Sequence, residues 1–461
     1  MAPRLAASCP SCGAPVALDA GETALRCERC GSAHLALHGG GTTVARLSER
    51  TSAEEAAGLA RAALADEMRR RERRGPEPAV EEVVAFEAPV RVLVARLHEA
   101  AVVRGAAGDP EAAVTARVAG HAATALRDPL GLATMPEPGE VDPRGLAVVS
   151  PRSIAAPPFD VGDDAFAADA ARLGAACAGG APRLARHAVS FPLARLVVLR
   201  PCRLVAVSSG RSRGAVLVDG AAREATALLS RPAYEALRAE VADRPLPAAP
   251  PPALRPMRCP ECASPLPLDR EGQLRFCPAC RRAFLAAGRR LVPLAYRAEL
   301  PPSPRGRLLL PAWRIPFALV DPRDGREVSS VAEVLARCGD DTARGGGAPG
   351  TLDVPAVLPA DRRREQRGTQ RLPSLPPAAF PFFEGPARSE AGFPDPRPAG
   401  ALGPSEAAAV VRHALLAALA PAAVARASAR RLKAFLFDAP LRTGRATLVL
   451  RAVPRADLES V

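Results

Sequence analysis

The sequence predicts a multidomain α+β protein assembled from small modules. At 461 residues the chain exceeds the size that one hydrophobic core usually serves, so about two to four domains are expected. Hydrophobic residues make up 48% of the chain, which is enough for sizeable cores, although aromatic residues contribute only 3%. One four-cysteine pattern occurs twice, and Pro-rich stretches separate the segments that show regular periodicity.

The two cysteine tetrads have identical internal spacing and are offset by 250 positions (259 − 9). They are Cys9-x2-Cys12-x14-Cys27-x2-Cys30 and Cys259-x2-Cys262-x14-Cys277-x2-Cys280. Four thiolates in two CxxC pairs match the tetrahedral shell of a structural zinc ion, with no ligand position left open. The sequence therefore predicts two structural Zn²⁺ ions per chain. His34 and His38 are not expected to be ligands, because the second copy has Phe284 and Gly288 there; His34 is expected to pack on its hairpin.

The tetrads and the alternating apolar residues between them resemble the zinc-ribbon family, in which two knuckles at the ends of a β-hairpin hold one metal. The resemblance covers about forty residues in each copy and implies a structural metal that supports binding of nucleic acid or protein. We call the copies ribbon 1 (residues 1–45) and ribbon 2 (residues 257–300). Ribbon 2 departs from the family at Ala263 and Arg281, where glycine is usual after each knuckle. The segment Leu310-Pro-Ala-Trp313-Arg is similar to an element of bacterial zinc-ribbon proteins, and its tryptophan is expected to be a buried anchor.

Residues 50–130 predict a helical region. A capping box at Ser52-x-x-Glu55 begins a helix in an Ala-rich segment. Two further helices are expected near 88–104 and 110–127, the second of them with proline at its first position.

Residues 185–244 predict a small α+β module. Strands are expected at 204–207 and 215–218 on either side of a Ser/Gly loop, and a short helix near residues 234–241. Residues 245–256 are rich in proline and predict a semi-rigid linker that leads into ribbon 2.

Three segments follow ribbon 2. Residues 301–342 predict a small β-containing module with strand structure near 308–320. Residues 343–404 are rich in Gly and Pro and predict a disordered segment. Residues 405–461 predict a C-terminal helix followed by a strand at 447–450.

Charge and composition exclude some functional classes. The formal charge is +13, but Lys433 is the only lysine among 62 basic residues, and this arginine bias makes basicity weak evidence for an anionic partner. A nucleotide-dependent motor is not expected, because a P-loop requires Gly-Lys-Ser/Thr. No segment is apolar for long enough to predict a signal peptide or a transmembrane span, so a cytoplasmic protein is expected.

Several reactive side chains are poor catalytic candidates. Ser212 lies in a GxSxG sequence, but the following residues predict a strand, whereas a nucleophile elbow requires a helix there. Cys177, Cys202 and Cys338 are unpaired in the sequence and are expected to be small buried hydrophobic residues. A hydrolase is therefore the least supported class.

Ribbon 2 carries basic residues around aromatic ones. Arginine and aromatic side chains together are typical of surfaces that bind nucleic-acid backbones and stacked bases. The alternative is a solvated surface around aromatic residues that fill a small core. The candidate nucleic-acid-binding residues are Arg275, Arg281, Arg282, Arg289 and Arg290.

The leading hypothesis is a non-catalytic zinc-binding adaptor whose partner is a protein. The alternative is a nucleic-acid-binding protein that uses ribbon 2.

Overall fold

The computed structural model of the chain describes eighteen segments, and the structural statements below concern these. They are residues 4–37, 42–71, 76–104, 110–123, 146–148, 153–156, 183–210, 212–245, 253–268, 272–287, 290–299, 307–338, 350–356, 369–371, 382–385, 399–400, 402–418 and 432–454.

Ten strands form the largest sheet, which contains the first hairpin of ribbon 1. In spatial order eight of them are β2 (Pro15–Asp19), β1 (Arg4–Ser8), β8 (Leu146–Val148), β5 (Thr43–Arg46), β10 (Arg183–Ser209), β6 (Ala79–Arg104), β7 (Pro110–Ala123) and β22 (Thr369–Arg371). The other two are β11 (Ser212–Asp219), which pairs with β10, and β12 (Glu224–Ser230), which pairs with β11.

Strands β6 and β7 replace the two helices predicted near 88–104 and 110–127, so that prediction is wrong. Val90, Val92 and Val94 are buried in one core cluster, and side chains two residues apart share a face only in an extended strand. The β-branched residues favour this conformation, and antiparallel pairing of β6 with β10 completes it. Of the predicted helical region 50–130, the described residues retain helix only in α1 (Ala53–Arg70).

Helices α1 and α2 (Arg231–Glu240) cover opposite faces of β10 and β11. The capping box of α1 is present, with Ser52 Oγ accepting from the N–H of Glu55. Val205 and Val216 contact α1, whereas Leu204 and Leu217 contact α2, as strand alternation requires. The predicted strands at 204–207 and 215–218 and the helix near 234–241 are confirmed in outline.

The second large sheet contains seven strands, which are the last strand of ribbon 2 and six strands from the region after it. They are β20 (Glu327–Val328), β19 (Arg307–Val320), β26 (Thr447–Pro454), β18 (Tyr296–Glu299) and β23 (Phe382–Gly385) in spatial order, with β21 (Thr351–Pro355) and β25 (Leu441–Thr443) also paired with β19. Strand β19 continues through two prolines whose carbonyls remain engaged. The N–H of Ala356 donates to Pro311 O, and the N–H of Gly444 donates to Pro316 O.

Parts of the segment 343–404 are ordered strands, which corrects the prediction of disorder for the described pieces. Strand β21 contributes Val354 to the core and pairs with β19 through a five-residue register. Most of the remaining residues between 343 and 404 lie outside the described residues. The predicted C-terminal helix is interrupted, because α4 (Pro404–Ala409) and α5 (Val411–Ala418) are separate and a π-helical segment follows at Lys433–Asp438.

Three small sheets and one short helix complete the described elements. The sheets are β14 (Ala253–Pro256) with β4 (Ala33–Leu37) and β3 (Ala24–Arg26); β17 (Arg290–Leu294) with β16 (Ala283–Ala287), β15 (Leu274–Phe276) and β24 (Ala399–Gly400); and β13 (Ala242–Pro245) with β9 (Ser153–Ala156). The helix is α3 (Val331–Arg337). The end of the predicted Pro-rich linker, 245–256, therefore forms strand β14, which corrects that prediction for its last residues.

The largest core joins ribbon 2 to the C-terminal sheet. Phe276 of ribbon 2 belongs to the same buried cluster as Trp313, Val354 and Leu415. Trp313 is buried and donates its indole N–H to Leu402 O at 2.9 Å, so it is the anchor that the sequence predicts. Among the described residues, no helix is both long and apolar enough to span a membrane.

Candidate metal centres

The four sulfur atoms of ribbon 1 converge on one point. Cys9 and Cys12 come from the first knuckle, Cys27 and Cys30 from the second, and all four Sγ atoms lie within 4.8 Å of one another. The Sγ atoms of Cys9 and Cys30 are 3.7 Å apart, and those of Cys12 and Cys27 are 3.8 Å apart. The sequence-predicted ligands of the first site are therefore brought together.

The second tetrad repeats this geometry. All four of its Sγ atoms also lie within 4.8 Å of one another. The Sγ atoms of Cys259 and Cys280 are 3.6 Å apart, and those of Cys262 and Cys277 are 3.5 Å apart. Both tetrads combine buried and more exposed cysteines.

The sulfur separations fit a tetrahedral metal ion. Zn–S bonds of about 2.3 Å place the sulfurs of a regular tetrahedron about 3.8 Å apart. The measured separations of 3.5 to 3.8 Å match this edge. They are far longer than the S–S bond of about 2.05 Å in a disulfide. Each tetrad can therefore hold one metal ion with four thiolate ligands.

Each knuckle is a tight turn that needs one residue in the left-handed region. Gly13 and Gly31 supply it in ribbon 1, with φ of 70° and 72°. Ala263 and Arg281 adopt φ of 59° and 57° at the matching positions of ribbon 2. In all four turns the N–H of this residue donates to the carbonyl of the cysteine four positions before it, at 2.8 to 2.9 Å. The replacement of glycine in ribbon 2 thus leaves the knuckle geometry unchanged.

One thiol in each tetrad is predisposed to ionise. Hydrogen bonds from the hydroxyl and the N–H of Ser32 lower the pKa of Cys30 to about 6. Ser264 lowers the pKa of Cys262 to about 6 in the same way. Burial instead raises the pKa of Cys280 to about 12. Zinc binding requires all four thiolates, so the metal must displace protons from the less acidic thiols.

His34 lies against the first tetrad without completing it. Its side chain is fully buried in β4, and its Nε2 is 3.2 Å from Cys9 Sγ. Burial lowers the pKa of the imidazole. His34 packs on its hairpin as the sequence predicts, but no feature of the sequence predicts its contact with Cys9. His38 lies outside the described residues.

The two ribbons share one hydrophobic core although 250 residues separate them in sequence (259 − 9). Ala24 and Leu35 of ribbon 1 belong to the same buried cluster as Met257, Leu266 and Phe284 of ribbon 2. The cluster also includes the metal-site cysteines Cys259 and Cys277. The ribbons are therefore one body, which we call the tandem ribbon, and its two metal sites depend on a common core.

Backbone pairing also joins the ribbons. Strand β14, which leads into ribbon 2, pairs antiparallel with β4 of ribbon 1 over four residue pairs. The N–H of Met257 extends this ladder by donating to Ala33 O at 3.0 Å. Ribbon 1 and the segment that leads into ribbon 2 thus share one small sheet, and separating the ribbons would expose unpaired backbone groups.

A polar contact closes the tandem ribbon on another side. Thr23 Oγ1 donates to Gly272 O at 2.7 Å and accepts from Arg275 Nη2 at 2.9 Å. The Arg275 side chain is completely buried. A guanidinium is costly to bury unless it is hydrogen-bonded, so this contact specifies how the ribbons dock.

The candidate nucleic-acid-binding residues do not form one exposed surface. Arg275 is buried between the ribbons, which removes it from that surface. Arg281 is half-buried in its knuckle, and Arg282 is exposed and paired with Glu261 at 3.2 Å. Arg290 is exposed at the start of β17, and Arg289 lies outside the described residues.

The aromatic residues that accompany these arginines face inward. Phe276, Phe284 and Tyr296 are all buried, and the rings of Phe276 and Tyr296 meet edge to face. Tyr296 also donates its hydroxyl proton to Arg281 O at 2.8 Å. Phe284 packs in the core shared by the ribbons, and Phe276 and Tyr296 pack in the core shared with the C-terminal sheet, so these rings are core residues and not exposed stacking surfaces.

The other reactive residues that the structure describes lie in a hairpin or in the core. Ser212 pairs with Ser209 at the closed end of the β10–β11 hairpin and is followed by a strand, as the sequence predicts. Cys202 and Cys338 are buried, and burial raises the pKa of Cys202. Cys177 lies outside the described residues.

A buried polar cluster that the sequence does not reveal joins β6 to α4. Arg96 Nη1 donates to both carboxylate oxygens of Glu406 at 3.0 Å, and His98 Nε2 lies 2.7 Å from Glu406 Oε1. All three side chains are buried. The partners are 310 residues apart (406 − 96), so only the folded structure brings them together.

The chain matches no family model, no curated protein and no solved structure.

Proposed function

We propose that this protein is a non-catalytic zinc-binding adaptor that binds a partner protein. The observation that carries the proposal is the convergence of eight thiol sulfurs into two tetrads of tetrahedral size. Zinc at each site fixes the tandem ribbon and, through it, the sheets on either side. The fixed arrangement of sheets is what the partner recognises.

The position of the tandem ribbon supports a joining role. Strand β1 of ribbon 1 pairs with β8 in the largest sheet. Leu274 and Phe276 of ribbon 2 pack in the same core as Trp313 of the C-terminal sheet. Because the ribbons dock on each other, the metal sites lie on one connection between these two sheets, which also pack directly through Ala100 and Val102 of β6. Metal binding then stabilises the spatial relation between the sheets, and not only the two hairpins.

Zinc has a large effect on units of this size. Hairpins of about forty residues bury too little apolar area to fold without help. Structural zinc supplies on the order of 10–16 kcal/mol in small zinc-binding peptides.

Four thiolates with one dication leave two negative charges at each site. The nearby Arg282 and Arg281 of ribbon 2 offset part of that charge, which is a structural role for arginines around such a site.

The nucleic-acid alternative has less support from the positions of the described residues than from the sequence pattern alone. Stacking needs exposed aromatic faces, and the three aromatic residues of ribbon 2 are buried. Arg275 is buried as well, and Arg282 is already paired with Glu261. What remains of the pattern is a small number of exposed arginines in an arginine-rich chain.

The experiment is affinity capture from native lysate with two baits, the wild-type chain and the double variant Cys12→Ser/Cys262→Ser. An adaptor retains a defined partner at constant stoichiometry with the wild-type bait, and the double variant loses it together with its zinc. Leu228→Ala is the control bait, because Leu228 is exposed and lies in β12, outside both ribbons. Equal capture by the double variant and the wild type would contradict the proposal.

A direct test separates the alternative. Wild-type protein is titrated with mixed-sequence oligonucleotides at several salt concentrations. An adaptor shows no saturable binding at physiological salt. Saturable binding that weakens steeply with salt, and is lost in Arg281→Glu/Arg282→Glu/Arg290→Glu, would favour the nucleic-acid function instead.

A further inference from the structure

The two metal sites of the chain have the same ligands and can be compared residue by residue. The hairpins are related by a shift of 250 residues (259 − 9), and the four ligands and both knuckles have the same spacing in the sequence. The residue that packs beside the first cysteine differs. It is His34 in β4 of ribbon 1 and Phe284 in β16 of ribbon 2, and both are fully buried.

The hydrogen-bonding chemistry of His34 selects one proton position. Nε2 lies 3.2 Å from Cys9 Sγ. Within the described residues, Nδ1 has no hydrogen-bond partner. A thiolate that binds a metal can only accept a hydrogen bond, so the contact requires a proton on Nε2.

The second site has no such side-chain donor at the corresponding place. Phe284 packs in the core beside Cys259 and Cys277 and carries no polar atom. Cys259 Sγ accepts instead from the backbone N–H of Glu261 at 3.4 Å. The two tetrads are therefore alike in geometry and different in the hydrogen bonds that their sulfurs receive.

We propose that His34 is a positioning residue for the first zinc site, where its Nε2–H donates to the Cys9 thiolate and makes this site retain zinc more firmly than the same site without it. A hydrogen bond from outside the ligand set draws charge from the sulfur and fixes the ligand's orientation. It also stabilises a tetrad that carries two net negative charges when zinc is bound. The inference rests on the proposed zinc-binding function.

The test uses the full-length chain with His34→Phe and His34→Gln. Phenylalanine is the residue that ribbon 2 accommodates at this position, so it removes the donor and keeps a buried ring. Glutamine keeps an N–H that can reach Cys9. The first readout is the rate at which each of the two zinc equivalents passes to a chromogenic chelator. The second is the ¹¹³Cd spectrum of the cadmium-loaded chain, which gives one resonance per site.

For His34→Phe we expect two zinc ions still to bind and one of them to be released about 10-fold faster. One ¹¹³Cd resonance shifts and the other stays in place. For His34→Gln we expect release within about twofold of the wild-type rate, since the hydrogen bond is kept.

Three results would overturn the role of His34. They are unchanged release of both ions in His34→Phe, equal acceleration of both ions, and a glutamine variant that behaves like the phenylalanine variant. A wild-type chain that binds no metal would overturn the proposed function and this inference together, which distinguishes the two failures.

Discussion

Single residues in the knuckles show how different side chains adopt the same backbone. Gly13 and Gly31 reach the left-handed region without cost, because glycine has no Cβ. Ala263 and Arg281 reach the same region at the expense of steric strain. The spacing of the cysteines is therefore a better predictor of the turn than the type of residue that follows each knuckle. Four ligands that share one ion determine where the backbone must lie.

The strain at Ala263 leads to a prediction. Ala263→Gly should raise the stability of the zinc-loaded chain by about 1 kcal/mol, because glycine relieves the left-handed strain at an exposed position. Thermal unfolding measures the change. Ala279→Gly is the matched control in the neighbouring knuckle, where φ is not positive, and it should lower stability by about 0.5–1 kcal/mol. Loss of stability in both variants would contradict the strain argument.

Arg275 provides a second prediction at this scale. Arg275→Ala should destabilise the chain by about 2–4 kcal/mol, because it leaves a cavity between the ribbons and removes a hydrogen bond to Thr23. Arg282→Ala, which removes an exposed ion pair, should change stability by less than about 1 kcal/mol. Chemical denaturation compares the two variants. Equal effects would mean that Arg275 is not buried between the ribbons.

Among the elements, the tandem ribbon depends on a strand that the sequence assigns to a linker. Strand β14 follows a Pro-rich stretch and pairs with β4 of ribbon 1. The proline content predicts an unpaired spacer. The four residues before Met257 instead pair with the free edge of strand β4 in ribbon 1. This pairing satisfies backbone N–H and C=O groups that a spacer would leave to solvent. The partner strand lies more than 200 residues away, which no local pattern can reveal.

The shared core predicts that one substitution affects both metal sites. Leu35→Ala removes a side chain that packs against Met257 and Phe284, and should cost about 2–5 kcal/mol. Zinc should leave both tetrads faster in this variant, as measured by transfer to a chelator. The control Leu228→Ala changes an exposed leucine and should leave both rates unaltered. Faster release from one tetrad alone would show that the ribbons do not depend on each other.

Strands β6 and β7 show where local pattern misleads. Their Ala- and Val-rich sequence is compatible with helical periodicity as well as with strand alternation. An interpretation from neighbouring residues alone therefore predicts a helix. Val90, Val92 and Val94 instead alternate into a core that also receives Leu196 and Val198 from β10. The register of β6 with β10 runs along nearly their full length and decides the outcome. By contrast, Ser52 and Glu55 begin α1 as expected, because a capping box is a local interaction.

In the whole molecule, β6 of the largest sheet meets the C-terminal part through buried charges as well as through the ribbons. Glu406 of α4 accepts from Arg96 and contacts His98, both of β6. The largest sheet and the C-terminal part pack directly in one core, and this cluster and the tandem ribbon are two further links between them. Sequence predicts neither link, because both depend on residues distant in the chain, whereas the tetrads themselves are predicted from the spacing of eight cysteines.

Glu406→Ala should destabilise the chain by about 3–5 kcal/mol, since it removes a buried carboxylate that accepts from Arg96. Limited proteolysis should then release the C-terminal part more readily than in the wild type. Glu261→Ala, which breaks only the exposed pair with Arg282, serves as the control and should retain the wild-type pattern. A wild-type proteolysis pattern in Glu406→Ala would contradict the role of the cluster.

Native mass spectrometry of the intact chain, purified under reducing conditions, tests the central claim most directly. The account predicts a mass increased by two zinc ions, with all eight tetrad cysteines reduced, and loss of both ions with partial unfolding after chelation. A metal-free folded chain, or tetrad cysteines joined in disulfides, would contradict it.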